Sequence, residues 1–147
     1  MTTYKITTFK VSLQVSEDIP KETSSPKESA ILLRAIYADL DGDQEHFCVL
    51  ALNGSNKVVG YKVLASGGMT FANIDQKLLF RAALALGGTS LIIAHNHPAG
   101  NPRPSLEDIA LTKTVQDAAK LLDFHLLDHI ILGEAQGFYS FAEEGRL

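Results

Sequence analysis

Two histidines one residue apart, His95 and His97, close an apolar run, and Ser105 and Asp108 follow beyond a loop that holds Pro98, Gly100, Pro102 and Pro104. Side chains alternate along an extended backbone, so residues i and i+2 share a side. His95 and His97 can therefore aim both imidazoles at one point while Asn96 faces away. The three prolines and Gly100 can turn the chain back, which brings Asp108 to the first turn of the next helix. Two histidines and a carboxylate with a fourth position open is the ligand set of catalytic zinc. Such a site lowers the pKa of bound water to about 7, and a nearby carboxylate can take the proton as that water attacks. Glu45 is the candidate base, because it opens an otherwise apolar strand and so stands at a sheet end.

Each of these residues also has a plainer reading. Ser105-Leu106-Glu107-Asp108 has the form of a helix N-terminus, with Ser105 as N-cap and acidic residues favoured by the helix dipole. That account covers Ser105, Glu107 and Asp108 without a metal. It leaves unexplained why two histidines arrive together at the end of a buried strand, and the two readings are compatible. Glu45, taken alone, reads as a solvated strand terminus.

The elements that must position these groups are legible from periodicity. Tyr4 to Val15 alternates apolar and polar residues, as a half-buried strand does, and Ser16 to Lys27 reads as a connection. Ser25-Pro26-Lys27-Glu28 is a capping box opening a helix through about Ala38. Glu45 to Leu52 suits a central strand, and Asn53-Gly54-Ser55-Asn56 turns it into a hairpin with "KVVGYKVLAS". A helix is expected over Asp75 to Leu86, stopped by Gly87-Gly88, then a buried strand from Thr89 to Ala94 that delivers His95. A helix from Ser105 to about Leu122, the strand "HLLDHIIL" and a short strand "FYSF" complete the chain. Strands mixed with helices, a hairpin among them, predict an α/β fold with a mixed sheet.

Composition bounds the partners. The 147 residues carry 17 acidic and 13 basic side chains, a net charge of −4, with no run of Lys or Arg, so charge does not support nucleic-acid binding. Cys48 is the sole cysteine, which excludes an internal disulfide framework and a cysteine-rich zinc site and fits a reducing cytoplasm. The N-terminal stretch has no continuous apolar core and does not read as a signal peptide. The longest apolar stretch, Leu78 to Ala94, is broken by Arg81 and Gly87-Gly88, which argues against a membrane span. A soluble intracellular protein is expected.

Glu45, then His95-x-His97, seven residues, Ser105, two residues and Asp108 resembles the JAMM motif of the JAB1/MPN+ metalloprotease superfamily. Within it the chain is similar to the RadC-type JAB domain, through "EHFCVLALN", "AHNHPAGNPRPSLEDIALTK", "LLDHIILG" and "YSFAEEG". The resemblance runs from about Ser25 to the C-terminus, which sets residues 1–24 apart as an N-terminal strand and connection and residues 25–147 as the domain. Longer RadC proteins carry a helix-hairpin-helix region before this domain, where Tyr4–Val15 stands here. Ala99 replaces a serine common in relatives, outside the motif positions.

The resemblance implies one zinc ion held by His95, His97 and Asp108, with Glu45 activating the water and Ser105 hydrogen-bonding the developing oxyanion or the water. It implies a cytidine-deaminase-like α/β/α sandwich, although a deaminase itself would need zinc cysteines that Cys48 alone cannot supply. The implied activity is cleavage of a peptide, amide or isopeptide bond. Two other readings are a DNA-repair-associated protein acting on or near nucleic acid, and a metal-binding interaction module without catalysis. Asp128-His129 reads as structural support near the site, a hydrogen-bond partner behind a ligand rather than a ligand itself. His46 and His125 read as surface or interfacial residues, and Cys48 as a packed core thiol.

Overall fold

A serine, a proline and a glutamate set the first helix, as their order predicts. In the computed structural model, which describes residue 3 and residues 22–67 and 74–147, α1 spans Pro26–Tyr37. The Ser25 hydroxyl accepts from the Glu28 amide at 3.2 Å. The return arm of the expected capping box is displaced by one residue, because the Glu28 carboxylate accepts from the amide and hydroxyl of Ser24 rather than the amide of Ser25. Tyr4 to Val15 lies outside the described residues.

β1, His46–Leu52, is buried throughout and pairs antiparallel with β2, Val58–Ser66. The Asn53 carboxamide accepts from the amides of Ser55 and Lys57, and Asn56 adopts φ 57°, so this turn rests on side-chain hydrogen bonding. α2, Gln76–Leu86, is capped by Asp75 and ended by Gly87 at φ 76°, the left-handed stop that glycine permits. β3, Ser90–Asn96, pairs antiparallel with β1 and parallel with β4, His125–Leu132. α3, Leu106–Leu121, makes the crossover that a parallel pair requires. β5, Phe138–Ser140, adds an antiparallel edge, giving the order β2-β1-β3-β4-β5.

The period-two alternation of the strands divides the core into two layers. Phe47, Val49 and Ala51 of β1 and Leu91 and Ile93 of β3 pack with α2 and α3 residues such as Leu79, Ala83, Leu111 and Val115. Cys48, Leu50 and Leu52, with Ile92 and Ala94, pack on the other face against Leu32, Leu33 and Ile36 of α1. The result is a mixed α/β fold with helices on both faces of the sheet, as the sequence predicts. Continuing the same alternation, His95 points with Ile93 toward the α3 side, and Asn96 toward the α1 side. Among the described residues no helix is long and apolar enough to cross a membrane.

Candidate metal centre

Because β3 and β4 are parallel and joined by α3, the N-terminus of α3 returns to the C-terminal end of β3. There His95, His97 and Asp108 offer one ligand atom each, all within 4.8 Å of one another. His95 Nε2 lies 3.0 Å from His97 Nε2 and 3.3 Å from Asp108 Oδ1, and His97 Nε2 lies 3.3 Å from Asp108 Oδ2. His95 and Asp108 are fully buried, while His97 is open to one side. The loop between them is tied down at several points. The His97 amide donates to Leu132 O at 2.9 Å, Gly100 turns at φ 99°, and Gly100 O accepts from the Glu134 amide at 2.7 Å.

Asp108 serves the helix and faces the histidines at once. Its Oδ2 accepts from the Ser105 amide at 2.8 Å while the Ser105 hydroxyl accepts from the Asp108 amide at 3.1 Å, a reciprocal capping box. Its Oδ1 is buried with no hydrogen-bond partner among the described residues. Buried polar atoms are almost always satisfied, so an orphaned Oδ1 beside His95, on a carboxylate whose Oδ2 faces His97, fits a cation among the three side chains. His97 sharpens the fit. Its Nδ1 sits 2.8 Å from the carbonyl of Asn101, which can only accept, so Nδ1 carries a proton and Nε2 is the nitrogen turned inward. Two nitrogens and a carboxylate oxygen form a donor set suited to zinc and related divalent ions.

The electrostatics agree with the geometry. Burial opposes ionisation of Asp108, but the His95 and His97 imidazoles outweigh it and hold the carboxyl far below the usual range. His97 is raised, chiefly by its hydrogen bond to Asp108, whereas burial lowers His95. Glu45 immediately precedes β1 and is partly buried. Desolvation raises its pKa, with His97 opposing and Asp108 reinforcing, so this carboxylate feels the charges of the cluster. Ser105 is exposed at the mouth of the site. Accepting from the Asp108 amide leaves its hydroxyl proton to donate elsewhere.

Asn96, between the two histidines, clamps the backbone on either side of Glu45. Its side-chain oxygen accepts from the His46 amide at 2.7 Å and its nitrogen donates to Gln44 O at 2.8 Å. Gly67 donates its amide to Glu45 O at 2.7 Å, fixing the same residue from the β2 side. A cleft of about 420 Å³ opens beside His97, lined among others by Arg34, Asp41, His46, Asn96 and Glu134.

The other histidines divide. His125 is exposed, as expected. His46 corrects the sequence reading, for it is buried rather than on the surface, pinned by Ser66 Oγ at 2.7 Å and Asp41 O at 2.6 Å. A polar residue opening a strand looks exposed until the loop that covers it is placed. His129 is fully buried behind His95, with its Nε2 2.8 Å from His95 Nδ1. Cys48 is a core thiol pushed up to about 12 by burial. Sequence reasoning overlooked Thr112, whose hydroxyl meets His129 Nδ1 at 2.6 Å. Its place four residues after Asp108, on the same helix face, was the available signal.

Residues 23–146 match the family described as the RadC-like JAB domain. A UPF0758 protein of Porphyromonas gingivalis is 38% identical over 148 residues, covering 97% of this chain and 65% of its own length. One from Flavobacterium johnsoniae is 40% identical, covering 90% of this chain and 57% of its own. One from Carboxydothermus hydrogenoformans is 47% identical, over 62% of this chain and 40% of its own. The chain thus spans 40% to 65% of the length of these relatives.

Proposed function

Because the chain belongs to the RadC-like JAB domain family, we propose that it is a zinc-dependent hydrolase that cleaves an amide or isopeptide bond with an activated water. The observation that carries the proposal is the buried His95–His97–Asp108 cluster with its orphaned Asp108 Oδ1. His95 Nε2, His97 Nε2 and the Asp108 carboxylate would hold the ion. When bound, zinc supplies Lewis acidity that makes a water nucleophilic near neutral pH. Glu45 would accept a proton from the attacking water at its carboxylate and return it to the leaving amine. A carboxyl raised by desolvation is suited to this exchange, because a general base works best with a pKa near the operating pH. Asn96 and Gly67 hold the Glu45 backbone in place for the transfer. Ser105 would donate a hydrogen bond from its hydroxyl to the developing oxyanion, and its capping bond to Asp108 orients it beforehand. The cleft beside His97 offers room for one side of the substrate.

Residues 25–147 are taken as the hydrolase domain. Cys48 as a buried thiol suits a reducing compartment, and on that chemistry we assign the protein to the cytoplasm. Elemental analysis of protein purified without a histidine tag tests the metal, beside a His95→Ala/His97→Ala control. About one zinc per chain, absent from the control, is expected for a three-ligand site. A chain that takes up no zinc after dialysis near neutral pH would overturn the assignment.

A further inference from the structure

His95 ligates through Nε2 only if its single proton sits on Nδ1, and the groups behind it determine where that proton goes. The Thr112 hydroxyl has one proton and two neighbours within hydrogen-bond distance. It donates to the backbone carbonyl of Asp108 at 2.7 Å, an oxygen that can only accept. Toward His129 Nδ1, 2.6 Å away, the Thr112 oxygen must therefore accept, so His129 carries its proton on Nδ1. In a neutral His129 that leaves Nε2 as a lone pair, and this nitrogen faces His95 Nδ1 at 2.8 Å. His95 must then donate from Nδ1, and its Nε2 turns an unprotonated lone pair toward His97 and Asp108.

The ring of His129 has no freedom to answer otherwise. It is fully buried, stacked on Phe141 with centroids 4.7 Å apart and 10° between planes, and met edge-on by Phe47 at 6.3 Å. A ring fully buried between two phenylalanines has no solvent, and no carboxylate at either nitrogen, to offset a charge, so it is held neutral.

We infer that Thr112 and His129 are positioning residues, a hydrogen-bond relay that holds His95 in its Nδ1–H tautomer and so presents Nε2 to the metal. The inference rests on the metal reading given above for its consequence, but the tautomer is a property of the metal-free protein. The Thr112 hydroxyl is the origin of the direction. Replacing it with a methyl group leaves His129 Nδ1–H without an acceptor, so His129 gains by moving its proton to Nε2, which forces His95 to accept at Nδ1 and protonate Nε2. The relay then points the wrong way, with no ligand touched. Hydrogen-bond partners of metal-binding histidines typically alter metal affinity by about 10–100-fold when removed.

The test begins with the wild-type chain, freed of metal with a chelator and labelled with ¹⁵N. Long-range ¹H–¹⁵N correlation spectra report the protonated nitrogen of each imidazole. The expected result is Nδ1–H for both His95 and His129; His95 found as the Nε2–H tautomer overturns the relay without any variant. Zinc affinity is then measured by chelator competition for wild type, Thr112→Val and Thr112→Ser. Thr112→Val should weaken zinc by about 10–100-fold and move both imidazoles to Nε2–H, while Thr112→Ser, which restores the hydroxyl, should recover both readouts. A loss of packing alone would weaken stability without reversing the tautomers or being rescued by serine. Thr112→Val with unchanged tautomers and unchanged zinc affinity overturns the relay and leaves the metal reading standing. A wild type that binds no zinc but shows the stated tautomers supports the relay and removes the metal reading instead.

Discussion

Gly133 offers the most direct way to disturb the centre from outside. It follows β4 and carries no ligand, yet a Cβ added there would meet Gly100 O at 2.6 Å and Pro102 Cδ at 2.7 Å, where ordinary contact begins at 3.4 Å. An alanine therefore demands a displacement of up to 0.8 Å against backbone and a proline ring, neither of which can swing aside as a flexible side-chain tip would. The segment that must yield is the loop of His97, whose Nδ1 is held by Asn101 O. His95, inside β3, and Asp108, inside the capping box of α3, are anchored separately and should stay. Gly133→Ala should thus misplace one ligand of three. Overpacking of this kind costs about 1–3 kcal/mol, which for a chain of this size lowers the melting temperature by roughly 2–12 °C. Zinc affinity should fall by about 10–100-fold, the scale found when the support of a metal ligand is lost. Chelator competition measures the affinity, and thermal unfolding of the metal-free protein measures the strain. Gly54→Ala is the control, since a Cβ there meets nothing within 4 Å. If Gly133→Ala matched Gly54→Ala in both measurements, the loop would not be the support of His97 that the contacts describe.

Glu45→Gln should keep its zinc by elemental analysis and lose about 10²–10⁴-fold of the hydrolytic rate on a verified amide substrate; equal rates would remove Glu45 as the base. Asp128 is buried and accepts from the amides of His129 and Ala142 and from the Ser140 hydroxyl. Asp128→Ala, which strands three donors, should cost about 3 kcal/mol or more by denaturant unfolding, and Asp128→Asn, which keeps an acceptor, should cost less. Desolvation raises the Asp128 pKa above its unfolded value of about 3.9, so the favourable contribution is complete below that value and lost as pH rises through the folded one. Wild type should lose stability relative to Asp128→Asn across that window, and parallel pH profiles would contradict it. The Cys48 thiol, buried and pushed up to about 12, should resist iodoacetamide at pH 8 in the native protein and react once unfolded; native labelling at the unfolded rate would show the strand opens.

The strands and helices were legible where burial and periodicity coincide. The all-apolar run after His46 reads as a strand buried on both faces, and Gly87 marks the end of α2 because the left-handed stop has few other occupants. The centre was legible as residue types and spacing, because alternation in β3 and the helix N-terminus at Ser105 are both local rules. The groups that support it were hidden for the opposite reason. Asn96 reaches Gln44 and His46, some fifty positions away, and His129 meets His95 across the β3–β4 pairing. The burial of His46 likewise depends on Ser66, brought in by the hairpin, and on Asp41 in the loop before β1.

The capping reading of Asp108 and the proposed ligand reading are compatible in one carboxylate. A carboxylate has two oxygens and about four lone-pair sites, more than a capping box uses. Here Oδ2 is committed to the Ser105 amide, which fixes the plane of the group and leaves Oδ1 aimed at His95 with nothing else to accept. The same box sets the Ser105 hydroxyl, since its oxygen is occupied by the Asp108 amide. One turn of α3 therefore orients the proposed ligand Asp108 and the proposed oxyanion donor Ser105 together, at a helix N-terminus whose dipole favours the negative charge of the carboxylate. Thr112, one turn further on the same face, reaches His95 through His129. Helix α3 is thus the element that organises the cluster, and the strand that carries the two histidines supplies imidazoles whose hydrogen-bond partners lie outside it: Asn101 for His97 and His129 for His95.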